Sequence, residues 1–148
     1  HDIEGYNGRL DAIQAGILKV KLRKLAEWNE QRRKCAVVYD QQFASLGDGV
    51  KPPVQPTWAK SVYHLYVIRT PRRDELRAYL ADEGIGTGIH YPIPLHLQQA
   101  YRQMKFQKGD FPVSEKIAAE ILSLPMYPHL QLDQQQQVVG KVQKFLLR

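Results

Sequence analysis

One feature of this chain constrains its fold more than any other: a helical period that runs too far for a small domain. Apolar residues recur at Leu10, Ile13, Ile17, Leu18, Leu25, Trp28, Ala36, Tyr39 and Phe43, mostly three, four or seven positions apart. That is the spacing of one helix face. The pattern predicts a single helix from about Arg9 to Leu46, ended by Gly47-Asp48-Gly49. At 1.5 Å per residue such a helix is roughly 55 Å long. A compact domain of 148 residues is narrower than that, so part of the helix is expected to pack on something outside this chain. The residues ahead of it point the same way. Gly5, Asn7 and Gly8 make a turn cluster that runs straight into the helix. A motif so dense at a chain's first turn calls for another domain or subunit against it. Asn7 itself has two readings. Its side chain can cap the helix, or its amide can reach an anion at the helix N-terminus, where free N–H groups and the dipole favour negative charge. Arg9 would add a cation beside it.

Beyond residue 50 the period shortens and the elements alternate. Pro52, Pro53 and Pro56 predict an irregular linker. Ser61 to Arg69 is rich in aromatic and β-branched residues and predicts a strand, apolar on both faces and therefore central. Thr70 is expected to cap a helix with Pro71 at its first position, ending at Gly84. A strand-like piece from Ile85 to Tyr91 follows, then a short helix near Leu97 to Met104, a loop over residues 108–112, and a helix from Val113 to Leu122. An extended segment from Ser123 to Pro128 can add a strand. The last helix is expected from Asp133, as N-cap, to Leu146. The order gives an α+β fold, a small sheet with helices packed on it. It divides into residues 1–50, a long helix with a turn at its start, and residues 51–148, a small α+β domain.

Charge and composition exclude several classes. The net charge is +6. However, Lys19, Lys21, Arg23, Lys24, Arg32, Arg33 and Lys34 are interleaved with Leu, Val and Trp along one helix, which is the look of a solvated face rather than a nucleic-acid surface. A phosphorylated small ligand fits the excess better. Cys35 is the only cysteine. It is expected to be a packing residue, and no disulfide within the chain is possible, which suits a reducing compartment. No apolar run approaches the ~20 residues of a membrane span, so a cytoplasmic protein is expected. Among five histidines, His90 and His96 are six apart across two prolines, which is no metal-ligand spacing. There is no glycine-rich phosphate loop of a common type. The stretch from Gly84 to His96 is the one that looks built for a site. Three glycines let the backbone approach a ligand, and Pro92 and Pro94 stiffen the turn that carries the pair His90-Tyr91. That pair could donate and accept hydrogen bonds at fixed positions; alternatively it is a structural turn with a half-buried His and Tyr.

Taken in order, residues 5–15 (Gly-Tyr-Asn-Gly-Arg-Leu-Asp-Ala-Ile-Gln-Ala), 63–69 (Tyr-His-Leu-Tyr-Val-Ile-Arg), 84–96, Phe111-Pro112 and 122–128 (Leu-Ser-Leu-Pro-Met-Tyr-Pro) resemble the C-terminal part of the DegT/DnrJ/StrS family of sugar aminotransferases. The resemblance covers essentially the whole chain. It implies the small C-terminal domain of a fold-type I aminotransferase, a mostly antiparallel sheet flanked by helices, joined to the missing large domain by the interdomain helix. It implies a homodimer that uses pyridoxal 5′-phosphate (PLP) to move an amino group, usually from glutamate, onto a nucleotide-linked keto sugar. The family's PLP-bearing lysine lies upstream of the matching segment, so no catalytic residue is expected here and the fragment alone should be inactive and not hold PLP covalently. Carried over by resemblance, Asn7 would reach the PLP phosphate of the partner subunit, His90 and Tyr91 would line the sugar-nucleotide side, and Arg9 would lie near the substrate's phosphates or be structural. Asn7-Gly8-Arg9-Leu10-Asp11 resembles members acting on 3-keto sugars. The rival expectations are a non-catalytic anion-binding or regulatory module, and a relative with another PLP reaction such as dehydration. The enzyme reading expects Leu10, Ile13, Ile17 and Leu18 to form an exposed apolar stripe that drives association; the module reading expects a polar first helix and a monomer.

Overall fold

The computed structural model describes Tyr6 and residues 8–148. Asn7, with both readings of its side chain, lies outside the described residues. The expected long helix is present as two: α1, Ala12–Leu22, and α2, Leu25–Phe43. The break falls at Arg23 and Lys24, where the Lys24 N–H bonds to Lys21 O at 2.9 Å, one residue short of the helical register. Both are good helix formers, so the local sequence carries no sign of the interruption. The first helix begins at Ala12 rather than Arg9 because Asp11 caps it: its Oδ1 accepts the N–H groups of Ile13 and Gln14 at 2.9 and 3.0 Å.

The two helices differ in what they bury. None of the residues in α1 is buried. In α2, Cys35, Ala36, Tyr39 and Phe43 form a buried stripe with the three- and four-residue steps of a helix face. Tyr39 and Phe43 meet Tyr66 of β1, Tyr66–Arg69, in an aromatic cluster, the closest ring centroids being 4.8 Å apart for Tyr39 and Tyr66. The polar tips are used as well. Tyr66 Oη donates to Asp40 Oδ1 at 2.6 Å and Tyr39 Oη donates to Pro125 O at 3.1 Å. Burial, then the Asp40 carboxylate, pushes the Tyr66 phenol well above its ordinary value.

The regular sheet has two strands. β1 pairs antiparallel with β2, Ile121–Leu124, with Tyr66 opposite Leu124 and Arg69 opposite Ile121. Single bridges extend it on both sides: Lys51 pairs with Arg69, and Gly88 pairs with Ser123. The expectation of a small antiparallel sheet with β1 in its interior therefore holds, but the strands are shorter than their sequence patterns. Tyr63 has φ +48 and ends the extended run that was expected from Ser61. Ile85 to Tyr91 contributes one bridge rather than a strand.

Helices close over this sheet. α3, Arg73–Asp82, starts later than expected: Thr70 is buried and its Oγ1 accepts the Arg72 N–H at 3.3 Å, with Pro71 in the turn ahead of the helix. It ends as expected at Gly84, whose φ of +75 closes a two-bond C-cap, Gly84 N–H to Ala81 O and Ile85 N–H to Leu80 O. α4 is Pro112–Glu120, with proline at its first position. α5, Leu132–Leu146, is capped by Gln131 rather than by Asp133: Gln134 Oε1 accepts the Gln131 N–H at 3.0 Å. Asp133 instead sits in the first turn, where its charge suits the dipole. Val138, Val139, Val142 and Phe145 of α5 complete the core with Leu76 and Leu80 of α3 and Leu122 and Leu124 of β2. The expected helix over 97–104 appears as two short 3-10 turns, Leu95–Leu97 and Gln99–Met104.

Candidate functional site

The C-cap of α3 sets up the site. Ile85 is buried beyond Gly84, which turns the chain back along the free side of β2. There Gly88 is locked to Ser123 by two backbone bonds, Gly88 N–H to Ser123 O at 3.0 Å and Ser123 N–H to Gly88 O at 2.7 Å. Two residues on, His90 Nδ1 lies 2.9 Å from Ser123 Oγ. The Tyr91 ring stands edge-on to the His90 ring, centroids 5.5 Å apart. Tyr91 is 72% exposed. The structure thus brings together the two residues expected to act as a pair and leaves the tyrosine hydroxyl accessible.

Residues 92–111 leave the sheet and wall a cleft of about 670 Å3 against α4. Its lining is mainly apolar, with Ile93, Leu95, Tyr101, Met104, Phe111 and Ile117 prominent and His90 and Tyr91 at one end. This wall has little regular structure and is held by a clasp. Glu115 of α4 accepts the Gly109 N–H at 2.7 Å and meets His96 Nε2 at 3.0 Å through the same oxygen. The His96 ring packs on Phe111, centroids 4.7 Å apart, and Phe106 meets Phe111 edge-on at 5.2 Å. The Gly109 amide, then His96, holds the Glu115 carboxyl below its ordinary range, against the opposing effect of burial. A second cleft, of about 370 Å3, opens on the other side of His90, lined by His64, Thr87, Ser123 and Met126 among others. His90 is shared by both clefts.

Other expected site residues fare differently. Arg9 is exposed and lines neither cleft. Cys35 is buried in the core, as its place in the helix suggests. No group of three or more metal-ligating side chains comes together among the described residues. Neither cleft is lined by a lysine. Sequence reasoning missed Ser123 and the His96–Glu115 clasp, and read Gly88 only as one of three glycines that let the backbone approach a ligand, not as Ser123's bridge partner. For Ser123 a signal existed: a hydroxyl inside the fully buried run Ile121–Leu124 has to find a partner.

The chain matches the DegT/DnrJ/EryC1/StrS aminotransferase family over residues 1–143. Among curated relatives it is 47% identical to a pleiotropic regulatory protein of Geobacillus stearothermophilus, over 98% of this chain and 39% of that protein. It is 40% identical to a dTDP-3-amino-3,4,6-trideoxy-alpha-D-glucose transaminase of Streptomyces venezuelae, over 100% of this chain and 39% of the relative. Among solved structures it superposes on S. venezuelae DesV in complex with a ketimine intermediate with a TM-score of 0.93 at 40% identity, covering 100% of this chain and 40% of DesV. It superposes on ntda from Bacillus subtilis with bound cofactor PMP with a TM-score of 0.86 at 27% identity, covering 97% of this chain and 34% of that one. The chain thus spans about 39% of the length of these curated relatives and aligns to the C-terminal part of aminotransferase structures. No helix among the described residues is long and apolar enough to cross a membrane.

Proposed function

The chain belongs to the DegT/DnrJ/EryC1/StrS aminotransferase family, and on that premise we propose that it is the C-terminal portion of a PLP-dependent nucleotide-sugar aminotransferase. The observation that carries this reading is the match over the whole chain to DesV, with the cleft end at His90 and Tyr91 as its candidate substrate wall. The longer protein would take an amino group from glutamate and place it on a keto sugar. The 3-amino sugar in the name of the S. venezuelae relative supports a 3-keto substrate. PLP, when bound, supplies the electron sink for the transfer.

The residues of this chain do the rest of what falls to it. Tyr91 offers an exposed hydroxyl, donor and acceptor, to the sugar-nucleotide. His90 offers a ring nitrogen beside it. The apolar wall over residues 93–111 excludes water from one side of the bound substrate. Asn7 reaches the PLP phosphate of the partner subunit, and Arg9 stands near the substrate's phosphates. The lysine that holds PLP lies in the missing large domain, the active assembly is a homodimer in the cytoplasm, and this chain alone is inactive. The exposed stripe of Leu10, Ile13, Ile17 and Leu18, between 53% and 75% exposed, supports a partner for α1.

Two measurements test the reading. The full-length parent, supplied with PLP and glutamate, converts a dTDP-linked 3-keto sugar to the amino sugar, detected by mass; no conversion with any nucleotide-linked keto sugar counts against it. Borohydride treatment of this chain with PLP leaves its lysines unmodified at stoichiometric level; one PLP fixed to one lysine overturns the placement of that lysine elsewhere. The name of the G. stearothermophilus relative favours one alternative, a regulatory module. That alternative expects a monomer by light scattering, with anion binding that survives Asn7→Ala. The aminotransferase reading expects association through α1.

A further inference from the structure

We infer that Gly88 and Ser123 form a seat that fixes the His90 imidazole, making Ser123 a positioning residue for the nucleotide-sugar substrate; the inference rests on the placement of His90 at that substrate. Three observations converge on the ring. First, Ser123 is 5% exposed in a strand whose four residues are all buried, and its hydroxyl lies 2.9 Å from His90 Nδ1. A buried hydroxyl needs a partner, and here the partner is a side chain that the rest of the fold leaves largely in the open. Second, the ring lies directly over Gly88. A Cβ at residue 88 would come within 2.6 Å of His90 Cε1 and 3.3 Å of Nδ1. The backbone there does not require glycine, because φ is not in the left-handed region; the ring takes the space a Cβ would fill, so a side chain at residue 88 would push the ring aside. Third, the two halves of the seat move as one. Gly88 and Ser123 exchange two backbone hydrogen bonds, and Ser123 is paired on its other side with Val67 of β1.

The consequence is chemical. An imidazole on a free side chain exchanges tautomers and rotamers, and a ligand that needs one of them bears the cost of selecting it. With Nδ1 engaged by Ser123, Nε2 is the ring nitrogen left to meet a ligand: it carries the proton when the hydroxyl donates to Nδ1 and a lone pair when the hydroxyl accepts from Nδ1–H. The Gly88 platform sets the plane of the ring, and Tyr91 packs edge-on against it. The seat therefore presents one nitrogen, in one orientation, between the two clefts that share His90. Stapling residues 85–91 to the sheet does not need the serine hydroxyl, because the paired backbone bonds already do that.

The test uses the full-length parent protein with 15N-labelled histidine and four variants: His90→Ala, Ser123→Ala, Ser123→Thr and Gly88→Ala. Binding of a dTDP-linked 3-amino sugar is measured by calorimetry, the His90 tautomer ratio by ring 15N shifts, and folding by thermal melting. The expected result is that Ser123→Ala and Gly88→Ala each move the tautomer ratio toward that of free histidine. Each also weakens binding by about threefold to tenfold, the effect of one neutral hydrogen bond. Ser123→Thr, which keeps the hydroxyl and suits a strand, restores both readouts. Gly88→Ala keeps the hydroxyl and displaces only the ring, so it tests the seat even if Ser123→Ala lowers the melting temperature. Weakened binding in His90→Ala with no change in Ser123→Ala overturns the seat and leaves the functional reading standing. Unchanged binding in His90→Ala overturns the placement of His90 at the substrate, and the seat's role with it, whatever the tautomer ratio does.

Discussion

Helices α1 and α2 lie on one continuous sequence pattern, yet only one of them has a core to serve. In α2 the stripe of Cys35, Ala36, Tyr39 and Phe43 disappears into contacts with β1 and α5. In α1 the equivalent stripe stays in the open, Ile13 at 75% exposure and Ile17 at 57%. The period of a helix tells which face is apolar, and it says nothing of which molecule or domain covers that face. The lesson is that α2 is stabilised by this chain and α1 by its own cap and by whatever packs on it.

The sharpest way to break that comparison starts with the covered stripe and the tyrosine of β1 it packs on. Phe43→Ala removes a 2% exposed ring from the aromatic cluster and is expected to cost roughly 3–5 kcal/mol in denaturant unfolding. Tyr66→Phe removes only the hydroxyl that satisfies Asp40, and about 1–3 kcal/mol is expected. A cost for Tyr66→Phe as large as that for Phe43→Ala would show that the polar tips, not the rings, hold α2 to the sheet.

The clasp of the cleft wall gives an acid-sensitive third case. The Glu115 carboxyl is held below its ordinary range, by the Gly109 amide first. Its contribution is therefore complete above the ordinary carboxylate value, about 4.3, and is lost as pH falls through the depressed folded value. Amide exchange at Gly109 should lose protection as pH falls beneath the ordinary carboxylate range, and Glu115→Gln should flatten that dependence. Protection that persists in Glu115→Ala, which leaves Gly109 no side-chain acceptor, would assign the wall to its ring contacts instead.

The smallest effects belong to α1. Asp11→Ala deletes its cap, worth about 1 kcal/mol locally, and should lower helicity by circular dichroism with little change in the global transition. Ile17→Ser should alter stability by no more than about 0.5 kcal/mol in a chain with nothing on that face. A loss of several kcal/mol from Ile17→Ser would mean that α1 is covered in solution, and its dependence on protein concentration would say whether by a second copy.

How much of this was legible depends on how local each determinant is. The C-cap at Gly84 and the exposed stripe of α1 can each be read within a few residues, whereas the helix expected over Val113 to Leu122 starts one residue earlier and stops at Glu120, giving Ile121 and Leu122 to β2. The site pair His90 and Tyr91 stood out by its stiff surroundings. Ser123 did not, because its role depends on a residue 33 positions away brought beside it by a single bridge. The His96–Glu115 clasp spans 19 residues of irregular chain and leaves no period to detect. Strand lengths were overestimated at residues 61–65 and 85–91 for a related reason. Aromatic and β-branched content marks where a pleated surface is favourable, while the extent of pairing is set by partners elsewhere, here four residues of β2.

The lone thiol offers a clock for this architecture. Cys35 is 7% exposed at the seam of α2 with the segment leading into α5: its Sγ lies 3.7 Å from Leu130 O, and its own carbonyl accepts Gln135 Nε2 at 2.8 Å. Burial raises its pKa, so the folded thiol is both shielded and poorly ionised, and alkylation has to wait for that seam to part. Because the chain has a single cysteine, the rate of its labelling times the opening of one interface without any engineered probe.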